Sequence, residues 1–422
     1  MRNAQASNQI DWLTVMLYFI LVFAGWLTIY AADYEPEAGS TIFSFTQSSG
    51  KQLVWIFTSI ILIVFIFVID YRFYESLAYV FYAIAFLFLI FVLFFGREVA
   101  GSTSWFEIGS LRIQPSEFAK ISTALGLAKY FGAGHRKTSS HRDLLIAGLL
   151  FMIPLGLIVV QGDAGTAMVY LSFLLVLYRE GLPPLLVVSG FGMILIFLLT
   201  LLVNQWILII GIIVLTLVLG GIFGRTVRRA LVIGVAAVVT ISVVVSVDFI
   251  LTDVLKPHQQ KRVLLLVNPN ADPLGVGWNT TQSKIAIGSG GFAGKGYLNG
   301  TQTKFDFVPE QTTDFVFCTI GEEHGWLGSV LLLVIYGFLL IRISVIAERQ
   351  KSDFVRVYAY SVLSILFFHF AINISMTIGL FPVIGIPLPF ISYGGSSLWT
   401  FTILLFILLK LDSHRMEILH RW

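Results

Sequence analysis

The residues best equipped for chemistry lie between Pro257 and Phe315. Lys284, Lys295, Lys304, Asp306, Glu310 and Asp314 stand there among glycines and aromatic residues, in a chain that is otherwise apolar. Asp314 follows Thr312 and Thr313 and sits where a hydrophobic segment begins. At a helix start, the macrodipole and free N–H groups favour the ionised form of a carboxylate, which suits a proton acceptor. Many helices carry such a charge with no catalytic duty, so both readings stand. Lys284, Lys295 and Arg262 can meet a phosphate-like anion, helped by backbone N–H groups that Gly288, Gly290, Gly291, Gly294 and Gly296 would free. The sequence GxxxxGK[ST] does not occur, nor do HExxH, GxSxG or a His/Cys cluster. A P-loop, a zinc hydrolase and a serine elbow are therefore unsupported. His258 and His324 are isolated, and a lone histidine is more often structural than a ligand.

A second group opens at Gln114-Pro115-Ser116. Glu117 and Lys120 follow three residues apart, on one helical face. Either charge alone at mid-bilayer costs about 2.5–3.5 kcal/mol. The two form a structural ion pair, or they line a polar groove shared with Trp105, Glu107 and Arg112. In Gln161-Gly162-Asp163-Ala164-Gly165-Thr166, Asp163 reads as a helix N-cap or as a substrate or cation contact. Pro382, Gly385, Pro387 and Pro389, then Ser392-Tyr393-Gly394-Gly395, make an uncharged turn. It is either a rigid turn or the lining of a wet cavity, with Ser392 as a contact.

The elements that must hold these residues are membrane helices. Of 422 residues, 57% are hydrophobic and 12% charged, and the mean hydropathy is +0.87. No soluble domain hides that much apolar surface. The single cysteine, Cys318, excludes an internal disulfide or a thiolate cluster. The first apolar run is of span length, so it reads as a retained helix rather than a cleaved leader. Apolar runs occur at about 12–32, 52–69, 76–95, 116–132, 144–161, 164–179, 182–203, 206–223, 228–251, 314–343, 355–380 and 394–411. The expected fold is all-α and polytopic, a single integral membrane domain over residues 1–422 with about twelve transmembrane helices. Lys129, Arg136, Lys137 and Arg142, then Arg225, Arg228 and Arg229, then Arg342, Arg349, Lys351 and Arg356 fall on one side, with Lys410, Arg415 and Arg421 at the end. The positive-inside rule makes that side, and both termini, cytoplasmic. The large polar loop, 252–313, is then extracytoplasmic.

Several separated motifs resemble the SEDS family of bacterial cell-wall proteins, along almost the whole chain. They are Trp105 with Gln114-Pro115-Ser116-Glu117-Phe118-Ala119-Lys120; Arg262 and Asp272-Pro273-Leu274-Gly275; Gln282-Ser283-Lys284-Ile285-Ala286-Ile287-Gly288-Ser289-Gly290-Gly291; Gly294-Lys295-Gly296; Gly300-Thr301-Gln302; Pro309-Glu310; Thr313-Asp314-Phe315; and Pro387-Leu388-Pro389 to Ser392-Tyr393-Gly394-Gly395. Each alone is weak, but in order and at family spacing they are specific. The Gly-Lys-Gly and Gly-Thr-Gln pieces are similar to the elongation branch rather than the division branch.

The resemblance implies a peptidoglycan glycosyltransferase that polymerises lipid II, with Asp314 as catalytic carboxylate. It places Trp105, Arg112, Glu117, Lys120, Arg262, Lys284, Lys295, Gln302 and Glu310 on the substrate, with Asp163 and Ser392 as further contacts. It fixes no cofactor and leaves a divalent cation open. Lipid II, the nascent glycan strand, membrane lipids and a class B penicillin-binding protein, the cross-linking transpeptidase, are the expected partners, with no nucleic acid. The expected location is the bacterial cytoplasmic membrane. Three positions and one insertion depart from the family pattern: Ser104 replaces a basic residue, Gly162 a proline and Thr312 a histidine, and the usual ten spans become twelve through an inserted pair at 206–251. Two rival functions remain, a lipid II flippase and a non-enzymatic scaffold for the penicillin-binding protein.

Overall fold

The computed structural model describes residues 10–34, 47–99, 101–109, 111–132, 141–224, 226–249, 253, 260, 276–305 and 307–415. All twelve apolar segments are helical. In chain order they are α1 (Trp12–Ala32), α2 (Ser48–Val68), a short α3 (Tyr71–Ser76), α4 (Ala78–Phe95), α5 (Pro115–Gly132), α6 (His141–Val160), the split pair α7 (Ala164–Tyr170) and α8 (Phe173–Arg179), α9 (Pro184–Leu202), α10 (Gln205–Phe223) and α11 (Val227–Phe249). After α12 (Val276–Ser289) come α13 (Val316–Glu348), α14 (Asp353–Thr377) and α15 (Gly395–Ser413). Nine of the described helices are long and apolar enough to cross a membrane: α1, α2, α4, α6, α10, α11, α13, α14 and α15. The protein is an all-α polytopic membrane protein.

The chain divides into two compact units, residues 1–181 with 279–422, and residues 182–278. In the first, α5 packs against α4 and α14, α13 against α1 and α14, and α15 against α2. In the second, α11 packs against both α9 and α10. α10 buries none of its residues, and its apolar side chains would be a liability in water but are ordinary against lipid.

α5 is the reverse case. It carries Glu117, Lys120 and several hydroxyls, and nearly every residue on it is buried by protein. A helix enclosed on all sides can keep polar groups if they find partners inside the fold.

Two segments outside the apolar runs are ordered structure. A three-stranded antiparallel sheet is made of β1 (Arg97–Val99), β2 (Ser102–Ile108) and β3 (Leu111–Ile113). Gly101 and Gly109, at φ +85° and +64°, make its turns. The Gly-rich stretch begins with helix α12, whose buried residues are Gly277, Gln282, Ser283 and Ala286. Such a polar and small-residue stripe gives no hydrophobic periodicity to read.

At the end of the first unit where α1 starts, charges knit the helices together. Asp11 caps α1 by accepting from the Thr14 amide at 3.1 Å, and also accepts from Arg342 Nη2 at 2.7 Å and Arg349 Nη2 at 3.2 Å. Arg349 also pairs with Asp412 of α15. Arg356 bonds Glu180 at 3.0 Å, and Arg179 bonds Glu348 at 2.6 Å.

Candidate active site

Asp314 lies in the turn leading into α13, partly exposed. The backbone around it is held from three directions. The Tyr393 amide donates to the Thr312 carbonyl at 2.8 Å, Ser392 Oγ donates to the Thr313 carbonyl at 2.6 Å, and Asn373 Nδ2 donates to the Asp314 carbonyl at 2.8 Å. All three donors come from α14 or from the turn before α15. The Pro382–Ser392 turn is bonded to the Asp314 segment through Ser392. Gly385, at φ +68°, passes beside the carboxylate: a Cβ there would stand 3.3 Å from Asp314 Oδ2.

Beneath that turn lies a buried polar chain. Lys120 Nζ is 2.7 Å from Glu117 Oε1 and 2.8 Å from His369 Nε2, and it lies 5.3 Å from the centroid of the Phe401 ring. An ammonium can only donate, so His369 Nε2 accepts and the ring proton sits on Nδ1, which faces the Pro387 carbonyl at 3.3 Å. The side chains of Lys120 and Glu117 are 0% and 4% exposed. The pair is thus enclosed by protein beneath the turn instead of lining an open groove.

Asp163 is the N-cap of α7, with Oδ1 accepting from the Thr166 amide at 3.0 Å. Its other oxygen accepts from Gln114 Nε2 at 2.7 Å and Ser116 Oγ at 3.2 Å, which fixes the start of α5. Gly165 abuts the turn that passes Asp314, since a Cβ there would lie 2.7 Å from the Ile384 carbonyl oxygen.

Trp105 lies on β2 opposite Arg97. Arg112, on β3, faces Glu107 across the strands, and its Nε is 2.9 Å from Glu107 Oε1. Arg97 also bonds Glu107. The Arg97 hydrogen bond, together with the two guanidinium charges, holds the Glu107 carboxyl below its ordinary range. The sheet is tied to the end of α6 by the Thr103 amide, which donates to the Gln161 carbonyl at 2.9 Å.

The Gly-rich stretch is organised by Glu322, a residue the sequence reading missed. Glu322 is fully buried. It accepts from Lys295 Nζ at 2.6 Å, the Thr301 and Gln302 amides at 2.8 and 2.9 Å, and the Thr303 amide and hydroxyl at 3.0 and 2.9 Å. Gln302 is thus placed through its backbone, and the Lys295 ammonium is shared between Glu322 and Thr301. The available signal was the pair Glu322-Glu323 inside an apolar span, where a carboxylate is costly without partners.

The glycines do not form the open anion cradle suggested by their number. The Gly296 amide donates to the Glu323 carbonyl at 2.9 Å, and the Gly294 amide to the Gly290 carbonyl at 2.8 Å. α13 breaks at Gly325, φ +62°, and the stretch fills the break. There the Trp326 and Leu327 amides donate to the Gly291 and Phe292 carbonyls at 2.9 and 3.1 Å. A Cβ at Gly290 would fall 2.0 Å from the Gly321 carbonyl oxygen, so backbone contact explains that glycine.

Lys284 is exposed on α12. Its neighbour Ser283 donates Oγ to the Thr377 carbonyl at 2.9 Å, which docks α12 on the end of α14, one turn beyond Asn373. Glu310 is exposed with φ +57°, and its carbonyl accepts from the Thr313 and Phe315 amides at 3.1 and 3.2 Å. Arg262, Asp272 and Asp306 lie outside the described residues. Among the described residues, no three His, Cys, Asp or Glu side chains gather as a metal site.

The arrangement defines a membrane-embedded helical scaffold presenting one carboxylate, anchored through its backbone, beside the turn before α15. The family described as cell cycle protein, represented by FtsW, RodA and SpoVE, matches residues 11–208 and 192–417, and the chain belongs to that family. The chain is 33% identical over 432 residues to the peptidoglycan glycosyltransferase RodA of Treponema pallidum, covering 97% of this chain and 99% of that one. It is 35% identical over 345 residues to the peptidoglycan glycosyltransferase MrdB of Escherichia coli K12, covering 82% and 80%. Among solved structures, it is similar to a chain from a peptidoglycan synthase complex described as coordinating polymerization and crosslinking. That similarity has TM-score 0.70 and 27% identity, covering 96% of this chain and 98% of that one. The rod shape determining protein RodA of Thermus thermophilus aligns with TM-score 0.61 and 26% identity, over 96% and 97% of the two chains.

Proposed function

We propose that this chain is a peptidoglycan glycosyltransferase that polymerises lipid II into glycan strands during cell elongation, with Asp314 as general base at the outer face of the cytoplasmic membrane. Two relatives are named peptidoglycan glycosyltransferases, which supports the glycosyl transfer. The observation that carries the site assignment is the carboxylate whose own main-chain carbonyl and two preceding carbonyls are each held by a donor. Preorganisation of this kind is what a base needs, because a misplacement of about 1 Å can cost 100-fold in rate.

In this reading Asp314 takes the proton from the 4-hydroxyl of an acceptor GlcNAc as that oxygen bonds to C1 of a donor MurNAc. The C1–O bond to undecaprenyl pyrophosphate breaks with inversion, and the electron pair leaves on the pyrophosphate. That leaving group is already a good anion, so no separate acid is required. Lys284 and Arg262 meet the pyrophosphate, and a divalent cation is compatible with it. Trp105, Arg112, Gln302 and Glu310 contact the sugars. The enclosed Glu117–Lys120 pair, Asp163 and Ser392 act through the segments they hold, and Lys295 acts through Glu322.

N- and C-termini are cytoplasmic, loop 252–313 faces outward, and 206–251 is a helix pair added to a ten-helix core. The synthase complex among the solved relatives supports a class B penicillin-binding protein as partner. Purified protein with lipid II tests the reading: uncross-linked glycan chains are expected. Lipid II crossing vesicle membranes without polymer would favour a flippase, and neither activity would favour a scaffold.

A further inference from the structure

We propose that Asn373 is a positioning residue for the Asp314 carboxylate, an inference that rests on Asp314 being the general base. Asn373 is fully buried on α14. Its side-chain nitrogen spends both hydrogens: one goes to the Asp314 carbonyl at 2.8 Å and the other to the Ile386 carbonyl at 2.6 Å. One planar NH2 group thus clamps the start of α13 to the turn that carries Gly385 past Asp314 Oδ2. The atom it holds belongs to Asp314 itself, so the clamp fixes the Cα from which the carboxylate projects.

The chemistry requires an amide. A neutral NH2 presents two hydrogens to two carbonyls, whereas Ser offers one donor, Asp offers only acceptors when ionised, and Ala or Leu offers none. The Asn373 Oδ1 is buried with no protein partner. A buried amide left half satisfied costs free energy that an apolar side chain would not, so the donor half must compensate for it. The neighbouring contacts point the same way. One turn earlier on the same face, His369 reaches the Pro387 carbonyl and Lys120. On the other side, Gly165 stands against Ile384 and Gly385. The turn is hemmed in by α7 and α14, and Asn373 ties its Ile386 carbonyl to the Asp314 carbonyl, while Ser392 and Tyr393 hold Thr313 and Thr312.

The test uses full-length protein and lipid II, with turnover and thermal melting measured for Asn373→Ala, Asn373→Ser and Asn373→Asp. Well below the melting temperature, Asn373→Ala should lose at least tenfold in kcat with KM changed less than threefold. Asn373→Ser should recover part of that loss, and Asn373→Asp should fall lowest. Wild-type kcat in Asn373→Ala with only a lowered melting temperature would make the residue structural and overturn the proposal. So would a loss confined to KM. Asp314→Asn is assayed alongside: full activity there overturns the general-base reading itself, whatever Asn373 does.

Discussion

Glu322 of α13 and Lys295 of the Gly-rich stretch form an ion pair at 2.6 Å, with the carboxylate completely buried and the ammonium about a quarter exposed. This pair, with the amides gathered on the same carboxylate, fixes a loop that has little apolar burial of its own. Removing the carboxylate orphans the buried amide and hydroxyl of Thr303, each costing about 1–3 kcal/mol, and frees the part-buried donors of Lys295, Thr301 and Gln302 to water. Glu322→Ala should therefore lower thermal stability and make 295–303 sensitive to protease, with polymerisation lost in parallel. Unchanged melting and unchanged protease resistance would show that the loop is held by other contacts.

Asp314→Asn should abolish polymerisation while leaving expression, insertion and melting temperature near wild type. The amide keeps the size of the carboxylate, and the three main-chain anchors do not involve the carboxylate. Near-normal glycan synthesis by the purified variant would remove Asp314 from the chemistry.

Lys120→Ala leaves the Glu117 carboxyl without its partner inside the protein and takes a donor from His369. Breaking a buried pair from one side costs about 3–5 kcal/mol, so both melting temperature and polymerisation should fall. The double change Glu117→Gln, Lys120→Met should recover much of the stability, because it removes both charges. Thermal melting of the three proteins decides the matter, and equal melting would show that the pair contributes nothing to the fold.

At the opposite end of the first unit, stability should depend on pH through Asp11. Burial alone would push its carboxyl up, but hydrogen bonds from Arg342 and Thr14 outweigh it and hold the group below its ordinary range. A depressed folded value means that the contribution is present above the unfolded carboxylate value of about 3.9 and is lost as pH falls through the folded value. Asp11→Asn should flatten that acid limb in a melting series. A wild-type limb in the variant would assign the acid sensitivity to other carboxylates.

The turn between α10 and α11 should face the cytoplasm. Thr226 is exposed there, beside Arg228 and Arg229. Thr226→Cys in a Cys318→Ala background should resist a membrane-impermeant thiol reagent in intact cells and react after permeabilisation. Labelling from outside would reverse the orientation assigned to the helices around it.

Sequence alone determined the apolar helical segments, because a span facing lipid must satisfy its own backbone and be predominantly apolar, and both demands are local. The place of Asp314 is visible in one dimension, as a carboxylate at the junction of a polar stretch and an apolar one; the base role proposed for it is not. The cap at Asp163 was legible as one of two readings, since Asp163 and Thr166 lie within one turn. Asn373 was not, because it sits in an apolar helix and acquires meaning only when a residue 59 positions earlier comes within 2.8 Å. His369 stayed hidden likewise, as its partner Lys120 lies 249 positions away. The sheet at 97–113 escaped because its strands are three to seven residues long, and α12 escaped because it buries small and polar side chains. The Gly-rich stretch misled by composition, since glycines that open a loop for an anion and glycines that let a loop press against a broken helix have the same sequence. Only the tertiary structure separates them, through the carbonyls of Gly321 and Glu323 that lie where side chains would have been.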